Sequence, residues 1–329
     1  MWAQGVVKGT GRWKFEEWIE GEYVKFCRND DYWQGVRTNV DELNIWYITE
    51  ANTVVSSLIS GEIDAVGKIE NDLLPMIEGN EAFIMEPYNV DSLNYIQFKS
   101  GPGDSFEDIN MRKAVAHAIN YEALLNFYGG GQVLECAATP GNDGYVNTGG
   151  YTYDPELAKE YLAQTNYDGQ ELSLASWTSR QNECTAIAAD LAAIGINVSL
   201  NLCDSAAFSA LRSEGDYDMF YGGVATWDGD LMTQYLVPRI RDDCHNSGYV
   251  DEEINELLTQ ADAETDRETR KGMLEQVMTK MYESYGPIIG TIQTQATSCV
   301  RKGLEGINQT PGGNMFFRNV SVDESVWGK

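Results

Sequence analysis

Histidine is nearly absent: His117 and His245 are the two in 329 residues, and none of the cysteines forms a CxxC pair. A zinc site built from local ligand spacing is therefore excluded. Basic side chains are also scarce, with 23 Lys and Arg against 51 Asp and Glu, a formal charge of −28 and a pI near 4.3. Affinity for phosphate backbones comes from basic groups that displace counterions, so a nucleic-acid binder is excluded, as is electrostatic adhesion to anionic lipid. No apolar run approaches the roughly 18 residues of a membrane span. The opening Met1-Trp2-Ala3-Gln4-Gly5 lacks the charged leader and continuous apolar stretch of a signal peptide, which says nothing of what is encoded upstream. Repeats and low-complexity tracts are missing too.

What is present suits a packed globular chain: 43% hydrophobic and 22% charged residues, with length for about two domains. The six cysteines are Cys27, Cys136, Cys184, Cys203, Cys244 and Cys299. Their scattered spacing fits buried thiols and disulfides of an oxidising compartment equally. Residues 12–19 and 22–28 read as a hairpin about Glu20-Gly21, and Leu43 to Ile48 as a strand. Ala51 to Ser60 is a helix stopped by Gly61, Ile63 and Ala65 mark a short strand, and Leu93 to Phe98 alternates. Asn110 is placed to cap one helix from Met111 to about Phe127, with residues 129–150 a Gly-rich loop. Asp154-Pro155 is a helix start, an N-cap acid with proline at the first helical position.

Residues 171–203 form the clearest unit. A strand from Glu171 to Trp177, a helix over 182–194 ended by Gly195, and alternation of Ile196, Val198, Leu200 and Leu202 specify a βαβ crossover with parallel pairing. A strand at 217–224, two acidic amphipathic helices and a returning strand at 287–293 follow. Ligands of parallel sheets collect beyond the strands' carboxyl ends. Those ends are Ser176-Trp177-Thr178-Ser179-Arg180, Cys203-Asp204-Ser205, and Val224 to Asp230. An edge rich in Trp, hydroxyls and carboxylates suits a polar organic ligand that also stacks. Trp177 and Trp227 read equally well as core residues at a sheet rim. Cys184 and Cys203 both lie near this edge, so a disulfide between them and a pair of free thiols are both open.

Catalytic motifs are weak. His117 sits mid-helix among apolar neighbours, and His245 has no GxSxG beside it. Asp228 and Asp230 read first as turn formers, Gly129-Gly130-Gly131 lacks a phosphate-loop lysine, and Asp251-Glu252-Glu253 is an acidic first turn.

The chain resembles the bacterial extracellular solute-binding proteins of the oligopeptide, dipeptide and nickel class, family 5, which deliver ligands to ABC importers. Gly9-Thr10-Gly11-Arg12-Trp13-Lys14-Phe15 is similar to that family's GTGPYKF segment, and Arg28-Asn29-Asp30-Asp31-Tyr32-Trp33 to its RNPDYW. Ser60-Gly61-Glu62-Ile63-Asp64, Phe106 to Ala114, Ala118 to Glu122, Tyr153 to Lys159 and Ile194 to Val198 match further segments in order, as far as about residue 290.

The resemblance implies an α/β, two-lobe periplasmic-binding-protein-like fold (type II, class C), with mixed sheets and a hinge of two crossing strands at Tyr95–Phe98 and Ile288–Ile292. Residues 1–98 and 288–329 would make lobe one, and 99–287 lobe two. The family's chains are longer, and the Gly9 motif normally lies well inside them, so the first lobe is expected to be incomplete. The implied function is capture of a peptide, or an oligosaccharide, by hinge closure. The expected ligand contacts are Trp227, Asp228, Asp230, Trp177, Arg180, Asp204, Tyr221 and Tyr95. Peptide-binding members hold the ligand's amino group with an Asp shortly after a Gly-Trp. Here, without gaps, Val224 takes the Trp position and Trp227 the Asp position, with Asp228 or Asp230 as substitutes. Catalytic residues, metal and cofactor are not expected. Partners are the ligand and importer permeases, the state a monomer, and the location extracellular or periplasmic, with a lipid anchor in the full-length protein. Two alternatives stand beside this: a secreted glycan or peptide hydrolase using carboxylates near Asp204, Asp228 and Asp230, and a remnant that binds nothing.

Overall fold

The computed structural model describes residues 8–225, 241, 246–310 and 312–327. The chain divides into two compact units, Met1–Tyr88 with Ala296–Lys329, and Asn89–Gln295. Strand β1 (Trp13–Ile19) turns at Gly21 into β2 (Tyr23–Arg28), and β3 (Glu42–Trp46) completes a three-stranded antiparallel sheet. Helix α1 (Ala51–Ser60) ends where Gly61 takes a left-handed φ of 84° and donates its N–H to the last turn. After β4 (Ala65–Ile69) and a 3₁₀ turn over Asn71–Met76, β5 (Phe83–Phe98) runs for 16 residues. It therefore starts ten residues before the alternation at Leu93 announces it. Val55, Leu58, Ile69, Ile77 and Cys299 form the first unit's core.

In the second unit the expected long helix is two: α2 (Ile109–Ala118) and α3 (Tyr121–Leu125). Asp108, not Asn110, caps the first, and Asn120 caps the second by accepting from the Ala123 N–H. Asn120 has its own N–H taken by Asp190 at 2.9 Å. A short polar side chain with both partners at hand outcompetes helix continuation. Next come β6 (Gly131–Val133), α4 (Pro155–Leu162), β7 (Leu172–Trp177), α5 (Gln181–Ile194), β8 (Val198–Cys203), α6 (Ser205–Glu214) and β9 (Met219–Ala225). Helices α7 (Glu252–Ala263) and α8 (Arg267–Ser284) lead to β10 (Ile288–Arg301), and short strands β11 (Leu304–Glu305), β12 (Asn308–Gln309), β13 (Met315–Phe316) and β14 (Ser321–Val322) close the chain.

The second unit's sheet runs β10-β5-β9-β7-β8. β7 is parallel to both β8 and β9, β9 is antiparallel to β5, and β6 joins β10 antiparallel. Alternate residues face two cores. Tyr95, Ala175 and Phe220 face Phe208, Ile254, Leu258, Leu274 and Met278 of α6, α7 and α8. Ile96, Leu174, Met219 and Tyr221 face Val115, Ala158, Ile187 and Leu191 of α2, α4 and α5. The sheet is mixed, and its cover of helices on both faces follows from the crossover connections of the parallel strands β7, β8 and β9.

Arg112 of α2 is 6% exposed and donates to Tyr285 O at 3.0 Å, Ser284 O at 3.1 Å, Phe106 O at 2.6 Å and Glu107 O at 3.0 Å. Two of those carbonyls end α8, where a cation offsets the helix dipole. Arg112→Leu is expected to cost about 3 kcal/mol or more, because buried acceptors lose their donors. Urea denaturation reads this directly, and an unmoved midpoint would show that the clamp carries no stability.

Candidate functional site

Parallel pairing of β7 with β8 and β9 puts three strand ends on one edge. At the end of β7 the chain turns through a 3₁₀ segment, Thr178–Arg180, directly into α5. Trp177 is half-buried, its ring 4.6 Å from that of Phe208. The Arg180 guanidinium lies 5.4 Å from the Trp177 ring centre and 5.2 Å from that of Tyr221. Trp177 belongs to one face of the sheet and Tyr221 to the other, so Arg180 caps the edge between them. Both contacts are within cation–π range.

Arg180 Nη1 donates to Tyr128 Oη at 3.0 Å, and Tyr128 Oη donates to Glu183 Oε1 at 2.6 Å. Glu183, in the first turn of α5, is 6% exposed. Burial, before any charge effect, holds the Tyr128 phenol far above its usual pKa. On β9, Gly223 leaves space that Arg180 and Asn94 occupy: a Cβ built there would sit 2.7 Å from Arg180 Nη2 and 2.8 Å from Asn94 Oδ1. Beneath the guanidinium, Tyr221 is wholly buried and its pKa is pushed up to about 12, chiefly by desolvation. Tyr221 Oη and Thr291 Oγ1 are close enough to perturb one another, yet among the described residues neither has a hydrogen-bond partner at normal length.

The structure thus brings together three of the expected contacts, Trp177, Arg180 and Tyr221. Tyr95 is wholly buried on the opposite face from Tyr221, its ring edge-on to Phe220 at 5.8 Å. Asp204 caps α6, its Oδ1 accepting from the Ala206 and Ala207 N–H groups at 2.9 Å each. Trp227, Asp228 and Asp230, like Cys244 and His245, lie outside the described residues. Sequence reading missed Tyr128, Glu183, Asn94, Gly223 and Thr291. The Gly222-Gly223 pair inside a strand was a usable signal, since strand glycines mark close approaches; the others carry no local mark. His117 is 7% exposed, with Nδ1 2.8 Å from Thr152 O and Nε2 3.1 Å from Tyr285 Oη.

Cys184 and Cys203 are free thiols. Cys184 packs with Ile187 and Leu191 on the α5 face, whereas Cys203 packs with the α6 face. The sheet separates them, which rules out the disulfide alternative. Burial pushes the Cys184 thiol up to about 11, leaving roughly one part in a thousand as thiolate at pH 8. Iodoacetamide at pH 8 should spare Cys184 in the folded chain, and mild oxidation should give no Cys184–Cys203 peptide by mass spectrometry. Finding that peptide would refute the placement.

Comparisons with known proteins agree with this architecture. A profile of the bacterial extracellular solute-binding proteins, family 5 Middle, matches residues 2–238. A Brucella ovis protein named as an ABC transporter peptide-binding protein is 28% identical over 236 residues, 67% of this chain and 43% of its own. Heme-binding protein A of Haemophilus influenzae is 25% identical over 334 residues, 96% of this chain and 60% of its own. The structure of HbpA2 from Haemophilus parasuis superposes with a TM-score of 0.84 at 23% identity, covering 95% of this chain and 64% of that one. The chain spans about half the length of the first of these relatives, and under two thirds of the others.

Proposed function

Because the chain belongs to the bacterial extracellular solute-binding proteins, family 5, we propose that it captures a peptide for an ABC importer, whose permease subunits are its partners. The observation that carries the peptide reading is the donor-rich edge of the sheet. Among the described residues Arg180 spends one hydrogen bond, on Tyr128, and keeps its other N–H groups for an acceptor. Tyr221 is wholly buried beneath it and interacts with Thr291 and Tyr128, so the guanidinium is the donor that faces outward. Aromatic rings from Trp177 and Tyr221 flank the guanidinium. Converging donors beside apolar surface suit a carboxylate attached to an organic body, as at a peptide's C-terminus.

Capture without chemistry is part of this reading. Asp204 is committed to capping α6, so it is poorly placed to serve as an acid or base. The family is extracellular by description, and no helix among the described residues is long and apolar enough to cross a membrane. A lipid anchor in the full-length protein is the attachment we propose.

The test is a thermal-shift titration of the purified chain with pooled tri- to pentapeptides, the same peptides as C-terminal amides, xylo-oligosaccharides and haemin. A true ligand stabilises by mass action, by a few degrees at saturation. Free-acid peptides are expected to respond and to be recovered unchanged by mass spectrometry. A response confined to sugars or haemin, or cleavage of the peptides, would overturn the reading. Arg180→Ala and Trp227→Ala are each expected to weaken the responding peptide about tenfold, or about 1.4 kcal/mol. For Trp227, unchanged affinity with lowered melting temperature returns the ring to the core.

A further inference from the structure

Tyr128 and Glu183 form a hydrogen-bonded chain that ends on the Arg180 guanidinium. We propose that Tyr128 and Glu183 are positioning residues: buried Glu183 fixes the Tyr128 hydroxyl, and Tyr128 Oη fixes Arg180 with its remaining donors facing the ligand. The inference rests on the reading above, in which Arg180 meets ligand.

The geometry is directional. Glu183 Oε1 accepts the phenol proton at 2.6 Å, so the Tyr128 oxygen turns its lone pairs to Arg180 Nη1 at 3.0 Å. The phenol keeps its proton throughout the neutral range, because burial opposes its ionisation. Glu183 begins α5, where a carboxylate is also favoured by the helix N-terminus. The guanidinium is therefore charge-balanced through an intervening hydroxyl rather than by a direct ion pair. No salt bridge to Arg180 occurs among the described residues, whereas Arg28 makes two and Arg267 and Arg301 each pair with an aspartate. A direct carboxylate partner would occupy two parallel N–H groups of the fork. Through the hydroxyl, one N–H is used.

Gly223 supplies the third boundary. Its missing side chain is what admits Arg180 Nη2 and Asn94 Oδ1 from one side. Both are side-chain ends, so Gly223→Ala displaces them and leaves the backbone of β9 in place.

The experiment follows Arg180 itself. In ¹⁵N-arginine-labelled full chain, with Arg180 assigned through Arg180→Lys, rotation about the guanidinium C–N bonds is read from exchange between the Nη signals. Resolved, slowly exchanging Nη lines are expected in the wild type and averaged lines in Tyr128→Phe, with Glu183→Gln moving the same way. Gly223→Ala should shift the Arg180 lines while keeping Tyr128 bonded. If Tyr128→Phe and Glu183→Gln lose only melting temperature, with Arg180 lines as in the wild type, the two residues are packing groups and the proposal is wrong. Should Tyr128→Phe fail to fold, Glu183→Gln and Gly223→Ala decide it by the same lines. Trialanine and its C-terminal amide then test ligand affinity. Tyr128→Phe is expected to lower the preference for free acid over amide about fivefold or more, in line with a misaligned charge-assisted pair. A wild type that binds neither peptide defeats the ligand reading, while the Nη lines still decide the positioning.

Discussion

Parallel pairing of β7 with both neighbours is the constraint on which the site depends. Parallel strands joined by a crossover must end on the same edge, so Trp177, Cys203 and the end of β9 are neighbours whatever their side chains are. Register then turns neighbourhood into contact. Asp218, at the entrance to β9, accepts from the Ser173 N–H at 2.8 Å and from Ser173 Oγ at 3.0 Å. That clamp sets β9 against β7 with Leu174 opposite Met219 and Ala175 opposite Phe220. A one-residue slip would exchange the two faces of β9. Tyr221 would leave the α5 face, and the guanidinium would lose the ring beneath it.

Excess acid and an arginine-centred site are compatible because carboxylates can be spent locally, away from the site. Asp108, Asp154, Asp204, Asp251 and Asp266 each cap a helix through side-chain oxygen to backbone N–H bonds. Such carboxylates satisfy orphan donors and meet the positive end of the helix dipole. Net charge therefore says little about the sign of a binding surface; it describes the whole protein's long-range field, and solution salt screens that beyond about 8–10 Å. A half-buried guanidinium between two aromatic rings is screened far less.

Much of the fold was legible because its signals are local. The crossover of 171–203 declared itself through alternation, a helical stripe and Gly195, which takes the left-handed φ of 99° expected of a helix-ending glycine. Asp154-Pro155 starts α4 as its chemistry requires. What failed was set by distant partners. The break at Ile119-Asn120 needs Asp190, 70 residues on, and no periodicity in 111–127 reveals it. Helix α6 is missing from the sequence reading although Asp204 caps it and Phe208 and Leu211 form its buried stripe; two buried apolar positions in ten residues make too short a stripe to stand out. In the site, Trp177 and Arg180 were found from the edge rule, because strand ends can be located from sequence. Tyr128 and Glu183 were not, since the first reaches the edge from the segment after α3 and the second points inward from a turn that otherwise reads as a solvated acid.

That pair also shows why a buried acid need not compete with a ligand. A carboxylate placed directly against the guanidinium would stabilise its charge and occupy the fork that recognition needs. With no counter-charge at all, a half-buried cation pays for its lost hydration and gains nothing until a ligand arrives. A phenol between the two meets both demands. Its hydroxyl donates in one direction and accepts in the other, polarised by the carboxylate behind it. The negative charge of Glu183 is thus felt through one oxygen at a single N–H, and the remaining donors stay available. Tyrosine suits this post better than serine, because its ring reaches from the segment after α3 to the edge of the sheet and packs with the α5-side core on the way.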